Sequence, residues 1–279
     1  MSHASPARPD SAPARLIAIA SGKGGVGKTW FAITLAHALS RAGRRVLLFD
    51  GDLGLANVDI QLGLLPGSDL SLVVSGSLPL AAAARPYPPG GFDILPGRSG
   101  SGALAALPPT TFERVLAALI GLGDRYDIVL LDLGAGLDRS TRRMAASADT
   151  LLVLATEEPA SLTDAYAVLK LNAADRGTAD ARVVINQAPS RAAGERTHAT
   201  LAGACRNFLG LEPPLAGVIR RDERVREAIR RQCLLLTRHP NSQAGADVEA
   251  MVPALLDPIA ADPESRAGRR AASVASVSF

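Results

Sequence analysis

The stretch IAIASGKGGVGKTW, residues 17–30, decides how the rest of the chain is read. An apolar run ending at Ala20 breaks into a segment with four glycines and two lysines, then turns apolar again. Gly22, Gly27, Lys28 and Thr29 fit G-x-x-x-x-G-K-[ST], a loop that wraps a polyphosphate between a strand and a helix. Its glycines let backbone N–H groups turn inward, and the helix N-terminus adds partial positive charge. Lys28 is expected at the β- and γ-phosphates and Thr29 on Mg²⁺. Gly24, Gly25 and Val26 complete the cradle and Trp30 follows it, so the ligands expected at Gly22 and Gly24 to Trp30 are ATP and Mg²⁺. The pattern leaves Lys23 unexplained.

Outward from the loop, short apolar runs alternate with longer helical patterns. Strands are expected at 15–20, 45–50, 92–95, 127–132, 150–155, 181–186 and 214–219. Helices are expected at about 28–42, 109–123, 138–147, 159–174, 194–209, 222–231 and 245–260. The strands are rich in Val, Ile and Leu without clean alternation, as in strands buried on both faces. The fold class is therefore α/β, a doubly wound, mostly parallel sheet with helices on both faces, which binds ligands at the carboxyl ends of its strands. With 279 residues, the expected organisation is a Ser/Ala/Pro-rich lead-in at 1–14, one P-loop domain at 15–261 and a polar tail at 262–279. Aromatic residues make up 4%, so the core must be built from aliphatics.

Carboxylates fall where such a sheet meets its ligand. The second strand runs into Asp50 and Asp52 within VLLFDGDLGLANVD, residues 46–59. Two acids so close need a cation or hydrogen bonds; Asp50 is expected to hold a water on Mg²⁺ and Asp52 to orient the attacking water. The alternative is an Asp-Gly-Asp turn capping the next helix. Asn57 and Asp59 are read as capping or packing the following turn. A later strand ends in Asp132, an acid expected to face Mg²⁺ through water, with Gly134 and Gly136 behind it as candidate γ-phosphate sensors. The alternative for Asp132 is a cap on the helix at 138. No histidine fits a nucleophile–base pair, so catalysis would be positioning and charge neutralisation.

With Lys23 inside it, GKGGVGKT resembles the deviant phosphate loop of the MinD/ParA ATPases, and the resemblance covers about residues 15–260. It implies that Lys23 contacts the phosphates of the facing subunit in an ATP-bound homodimer, and that Asp52 is the hydrolytic acid. Lys23, Lys28 and Asp52 are then the candidate catalytic residues; Thr29, Asp50 and Asp132 hold the metal. Asn186, ending ARVVINQA, matches the family's base-contacting asparagine, the alternative being a turn residue. LAGVIRRDERVREAI resembles the segment beside the base and adds Gly217, Ile219 and Asp222, although Arg220 stands where many members carry proline. Glu158 either reaches the partner's nucleotide or is a solvated residue of a first helical turn.

DGDLGLANVDIQLGL, DLGAGL and EEPASLTDAYAVLK look most like the branch that regulates flagellar number, the FlhG group. That resemblance implies an FlhF-type GTPase or a flagellar C-ring component as partner. The branch's N-terminal activator motif is absent from residues 1–14. In DVEAMVPALLDPIAA, Val248, Val252, Leu255 and Ile259 share a helical face, but Pro253 and Pro258 interrupt it and Lys and Arg are missing, so it is read as packed on the core. The tail RAGRRAASVASVSF would give at most weak peripheral membrane contact.

Other classes are disfavoured. The Arg-rich stretch 220–231 interleaves acids and reads as a solvated helix, so nucleic acid is not the expected partner. Cys205 and Cys233 have no metal or redox spacing and are read as reduced thiols, which argues against iron–sulfur carriers. There is neither an apolar signal core nor a run long enough to span a membrane. The expected location is the cytoplasm, with the inner membrane or cell pole as a peripheral site.

Overall fold

A computed structural model describes residues 13–52, 57–65, 67, 70–97, 109–176 and 180–257. The lead-in, the Arg- and Ser-containing tail and Ile259 lie outside these, apart from residues 13 and 14. Among the described residues eight strands form one sheet: β1 (Arg15–Ser21), β2 (Val46–Gly51), β3 (Arg85–Tyr87), β4 (Phe92–Leu95), β5 (Ile128–Ala135), β6 (Thr150–Ala155), β7 (Asp180–Ala188) and β8 (Leu215–Arg220). The helices are α1 (Lys28–Arg41), α2 (Val58–Leu62), α3 (Leu70–Val74), α4 (Leu80–Ala83), α5 (Pro109–Ile120), α6 (Arg139–Ser147), α7 (Pro159–Arg176), α8 (Arg191–Leu209), α9 (Glu223–Arg230), α10 (Leu235–Arg238), α11 (Gln243–Glu249) and α12 (Val252–Leu256).

The spatial order is β3-β4-β2-β5-β1-β6-β7-β8, parallel except for β3 on β4. From β1 the chain first builds toward β2, returns through β5 and then continues past β1 to β6. The strand order therefore reverses at β1, and the crevice of such a sheet opens at the carboxyl end of that strand.

Side-chain alternation sorts each strand between two cores. Leu16, Ala18, Leu47, Phe49, Val129, Leu131, Leu151 and Val153 pack on one face. Ile17, Ile19, Val46, Leu48, Ile128, Leu130, Leu152 and Leu154 pack on the other, against Phe31, Leu35 and Leu39 of α1. Both faces are dry, which explains why no strand alternates in polarity.

All seven expected strands are present, and three expectations need correction. The expected strands lack an antiparallel edge strand, β3 at Arg85–Tyr87, whose Pro86 is tolerated because an edge need not donate every ladder hydrogen bond. The helix expected at 245–260 is broken into α11 and α12, because Pro253 fits a first turn but not a helix interior. Its apolar face packs inward as expected, with Val248, Val252 and Leu255 all buried beside α1. Helix α8 starts at Arg191 rather than 194, because the Ser190 hydroxyl accepts the Ala193 N–H at 3.1 Å. The short helices α2, α3, α4 and α10, at most five residues each, were not anticipated. Both cysteines are free.

His37 is buried within α1, and its Nδ1 has no hydrogen-bond partner among the described residues. Burial, then the nearby Arg41 charge, lowers its pKa. The unfolded chain therefore takes up a proton near pH 6.5 that the folded chain resists, and this contribution destabilises the fold as pH falls below that value. Urea midpoints measured at pH 7.5 and 5.5 should differ less in His37→Gln than in the parent chain.

Candidate functional site

The phosphate loop leaves β1 at Ser21, whose hydroxyl donates to the Lys23 carbonyl at 2.7 Å. Gly22 lies against the first turns of α7: a Cβ there would come within 2.5 Å of Asp164 Cβ and its carbonyl oxygen. The outer side is open, with nothing within 4 Å of a Cβ built on Gly24 or Gly25. Val26 is buried beside Trp30 in the α1-side core. Gly27 is the N-cap of α1 at φ 93, so no side chain caps that helix. The first-turn N–H groups are left for an anion, with no acid in the turn to repel it.

Lys28 opens the helix and is largely buried. Burial lowers its pKa, opposed by the charges of Asp132 and Asp52. Those acids arrive by strand periodicity. Asp50 and Asp132 are directly paired in the β2–β5 register. Each follows at even spacing from residues on the α1 side, Val46 and Leu48 in one strand and Ile128 and Leu130 in the other. The Asp50 carboxylate accepts N–H groups of Asp52 at 3.2 Å and of Asn57 and Val58 at 3.0 Å. It therefore ties down the start of α2, so the capping alternative and a place beside the metal are compatible. The cap on α6 comes from Asp138, which accepts from Ser140 and Thr141, and not from Asp132.

Asp50 and Asp132 are each 1% exposed. Burial pushes both carboxyl groups above the usual range, the Asp132 charge adding to it at Asp50 and the Asp52 charge at Asp132. The Thr29 hydroxyl lies beside Asp132 and opposes the rise in its pKa, while Asp132 Oδ1 is buried with no partner among the described residues. Two adjoining buried acids, one with an orphaned oxygen and a hydroxyl beside it, fit a divalent cation. No group of three or more His, Cys, Asp or Glu among the described residues could hold a metal alone. That suits Mg²⁺, which takes one or two carboxylates and fills its remaining positions with phosphate and water. Thr29, Asp50 and Asp132 would hold it; when bound, it neutralises charge on the phosphates. Asp52 lies against Gly134, where an added Cβ would be 3.3 Å from Asp52 Oδ1. The Gly136 N–H donates to the Ser21 carbonyl at 3.1 Å, stitching the loop after β5 to the base of the phosphate loop.

The other candidates divide. Lys23 is ion-paired to Glu158 at 2.5 Å. Asn186 comes to the loop, donating from Nδ2 to the Val26 carbonyl at 2.7 Å. Asp222 is the N-cap of α9 and accepts the Ser242 hydroxyl at 2.7 Å. Gly217 packs on Met251 and Ile219 is buried, so these three have structural partners of their own. Arg220, in place of the proline, is held by Asp247 through its backbone N–H and its guanidinium. Sequence reasoning passed over Ser21 and Asp164. A serine before the first glycine was a local signal for one; nothing marked the other.

Trp30 is the one tryptophan of the sequence and follows the loop directly, so its fluorescence should report nucleotide binding. Lys28→Ala should weaken Mg–ATP binding by roughly 10- to 100-fold, as expected for loss of charge-assisted hydrogen bonds. Gly22→Ala should cost about 1–3 kcal/mol of stability, read by denaturation, because the contact it forces is with Asp164 backbone.

Residues 17–235 match the CobQ/CobB/MinD/ParA nucleotide binding domain. The chain is 38% identical over 239 residues to antiactivator FleN of Pseudomonas aeruginosa, covering 86% of this chain and 85% of that protein. It is 30% identical to the flagellum site-determining protein YlxH of Helicobacter pylori, covering 81% and 76%. Among solved structures, the septum site-determining protein MinD of Pyrococcus horikoshii, complexed with Mg-ADP, superposes with a TM-score of 0.72 at 26% identity over 88% of this chain and 96% of that one. A phosphate loop at the switch point of a doubly wound sheet, matched over most of its length by these proteins, makes this chain a Mg²⁺-dependent ATPase of the MinD/ParA family.

Proposed function

We propose that this ATPase sets the number or placement of flagella by switching between monomer and dimer. The observation that carries the reading is the 38% identity to antiactivator FleN along 86% of the chain, supported by the match to YlxH. ATP closes two copies against each other across the open side of the phosphate loop. In the single chain Lys23 rests on Glu158; in the dimer it moves to the phosphates of the facing copy. Both side chains are well exposed, so the intramolecular pair is weak and readily exchanged. Asp52 orients the water for slow hydrolysis, which reopens the pair. The dimer face is what a partner reads, an FlhF-type GTPase or a flagellar C-ring component being the candidates.

A nucleic-acid partner is less well supported. Glu223 takes Arg226, and Glu227 takes Arg231 and Arg238, so much of the basic character around α9 is neutralised. No helix among the described residues is long and apolar enough to cross a membrane. The buried face of α11 and α12 is not free for lipid, so peripheral membrane contact falls to the tail.

Deleting the gene and counting flagella per cell by electron microscopy tests the reading; an unchanged number and position would overturn it. Lys23→Ala should still bind ATP but dimerise roughly 30-fold or more weakly, the usual loss for one partner of a buried interfacial charge pair. Sedimentation with and without ATP measures this, and ATP-dependent dimerisation at the parent level would remove Lys23 from the interface.

A further inference from the structure

The acids of the site give a bound nucleotide its direction. Asp50 and Asp132 lie in β2 and β5, on one side of the phosphate loop that leaves β1. The metal and the terminal phosphates belong on that side, so the nucleoside extends the other way, over the carboxyl ends of β6, β7 and β8. Residues 220–222 stand at the end of β8. They are joined to β7 by the Arg221 N–H, which donates to the Ala188 carbonyl at 2.8 Å.

Helix α11 clasps all three of these residues. Asp247, 3% exposed, takes Arg220 by both its backbone and its side chain. Its Oδ2 accepts the Arg220 N–H at 2.9 Å and Nε at 2.8 Å, and its Oδ1 accepts Nη2 at 2.9 Å. The Gln243 amide donates to the Arg221 carbonyl at 2.7 Å, and the Ser242 hydroxyl to the Asp222 carboxylate at 2.7 Å. A proline at 220 would supply neither the N–H nor the planar fork. It would leave Asp247 a buried charge facing only Arg191, at 3.5 Å. Arginine at 220 and aspartate at 247 are thus one device.

The clasp has a fixed reference. Val248 of α11 is buried in the same core as Phe31, Leu35 and Leu39 of α1, and Glu249 pairs with Arg41 of α1 at 2.8 Å. Helix α1 is also the helix that opens at the phosphate loop. The loop at the end of β8 is therefore held, through Asp247 and α11, at a set distance from the grip on the phosphates.

We propose that Arg220 and Asp247 are positioning residues for the nucleoside end of the nucleotide: their pairing sets residues 220–222 in place before the ligand arrives, and it leaves the hold on the polyphosphate unaffected. The inference concerns binding by the single chain and stands apart from the flagellar reading.

The test is calorimetric titration of the full chain, in Mg²⁺, with ADP and with tripolyphosphate. Arg220→Ala removes the fork, and Asp247→Asn removes the charge that holds it. Each should bind ADP roughly tenfold more weakly, the usual gain from a loop fixed in advance being lost, with tripolyphosphate affinity at the parent level. The two together should lose no more than either alone, because they break one contact. Arg220→Lys, which keeps the N–H and a charge, should fall between the parent chain and Arg220→Ala. Parent-level ADP affinity in both folded variants would mean that the pair only braces α11, and would overturn the proposal. Equal losses for ADP and tripolyphosphate would overturn it too, by placing the effect on the phosphate loop. Arg220→Met with Asp247→Leu removes both charges at once and strands neither. It carries the same expectation in place of a single variant that fails to fold.

Discussion

The residue that caps helix α1, Gly27, has no side chain, and the protein leaves the N–H groups of the first turn without a side-chain cap. Most helices silence that end with a serine, threonine or acid. Here the end stays open at the point where the sheet reverses its strand order. The other features of the site can be read as consequences. An open helix end attracts an anion; a lysine placed there must be kept from filling the gap itself; and acids must be near enough to hold a counter-cation yet buried enough not to compete.

The electrostatics follow from that arrangement. Lys28 is pulled into the protein, and its charge is sustained by Asp132 and Asp52. Asp50 and Asp132 sit side by side because β2 and β5 pair in register, and the ladder that holds the sheet together also forces two like charges into contact. Without a cation each raises the cost of ionising the other. Three backbone N–H groups on Asp50 and the Thr29 hydroxyl beside Asp132 offset part of it.

Much of this was legible in the residues. The glycine–lysine pattern, the aliphatic strands and the strand-terminal acids each have a local physical meaning, and the local meanings agree. What the residues could not convey was contact across the sheet. Nothing near Asn186 points to Val26, and nothing near Lys23 points to Glu158; those pairings exist because β1, β6 and β7 lie side by side. The short helices were missed for a related reason. Four- and five-residue turns have no period to detect, and α2 is held by an acid from a neighbouring strand, Asp50, rather than by a cap of its own. Asp222 shows the converse. A residue matched by resemblance to a base-side segment turns out to be occupied by a helix cap and Ser242.

The arginines at the far end of the sheet carry a different consequence. Arg15, at the start of β1, donates to the Leu255 and Asp257 carbonyls, and Arg182, near the start of β7, donates to that of Ala254. The chain thus enters the sheet and leaves the last described helix at one and the same end. The phosphate loop lies at the other, about 20 Å away along β1 at the rise of a parallel strand. Whatever attaches through the flanking segments holds the molecule by its base. The nucleotide face is presented outward, as a bit is held in a chuck, and a load on the base can reach the loop only by passing through the stiffest part of the fold.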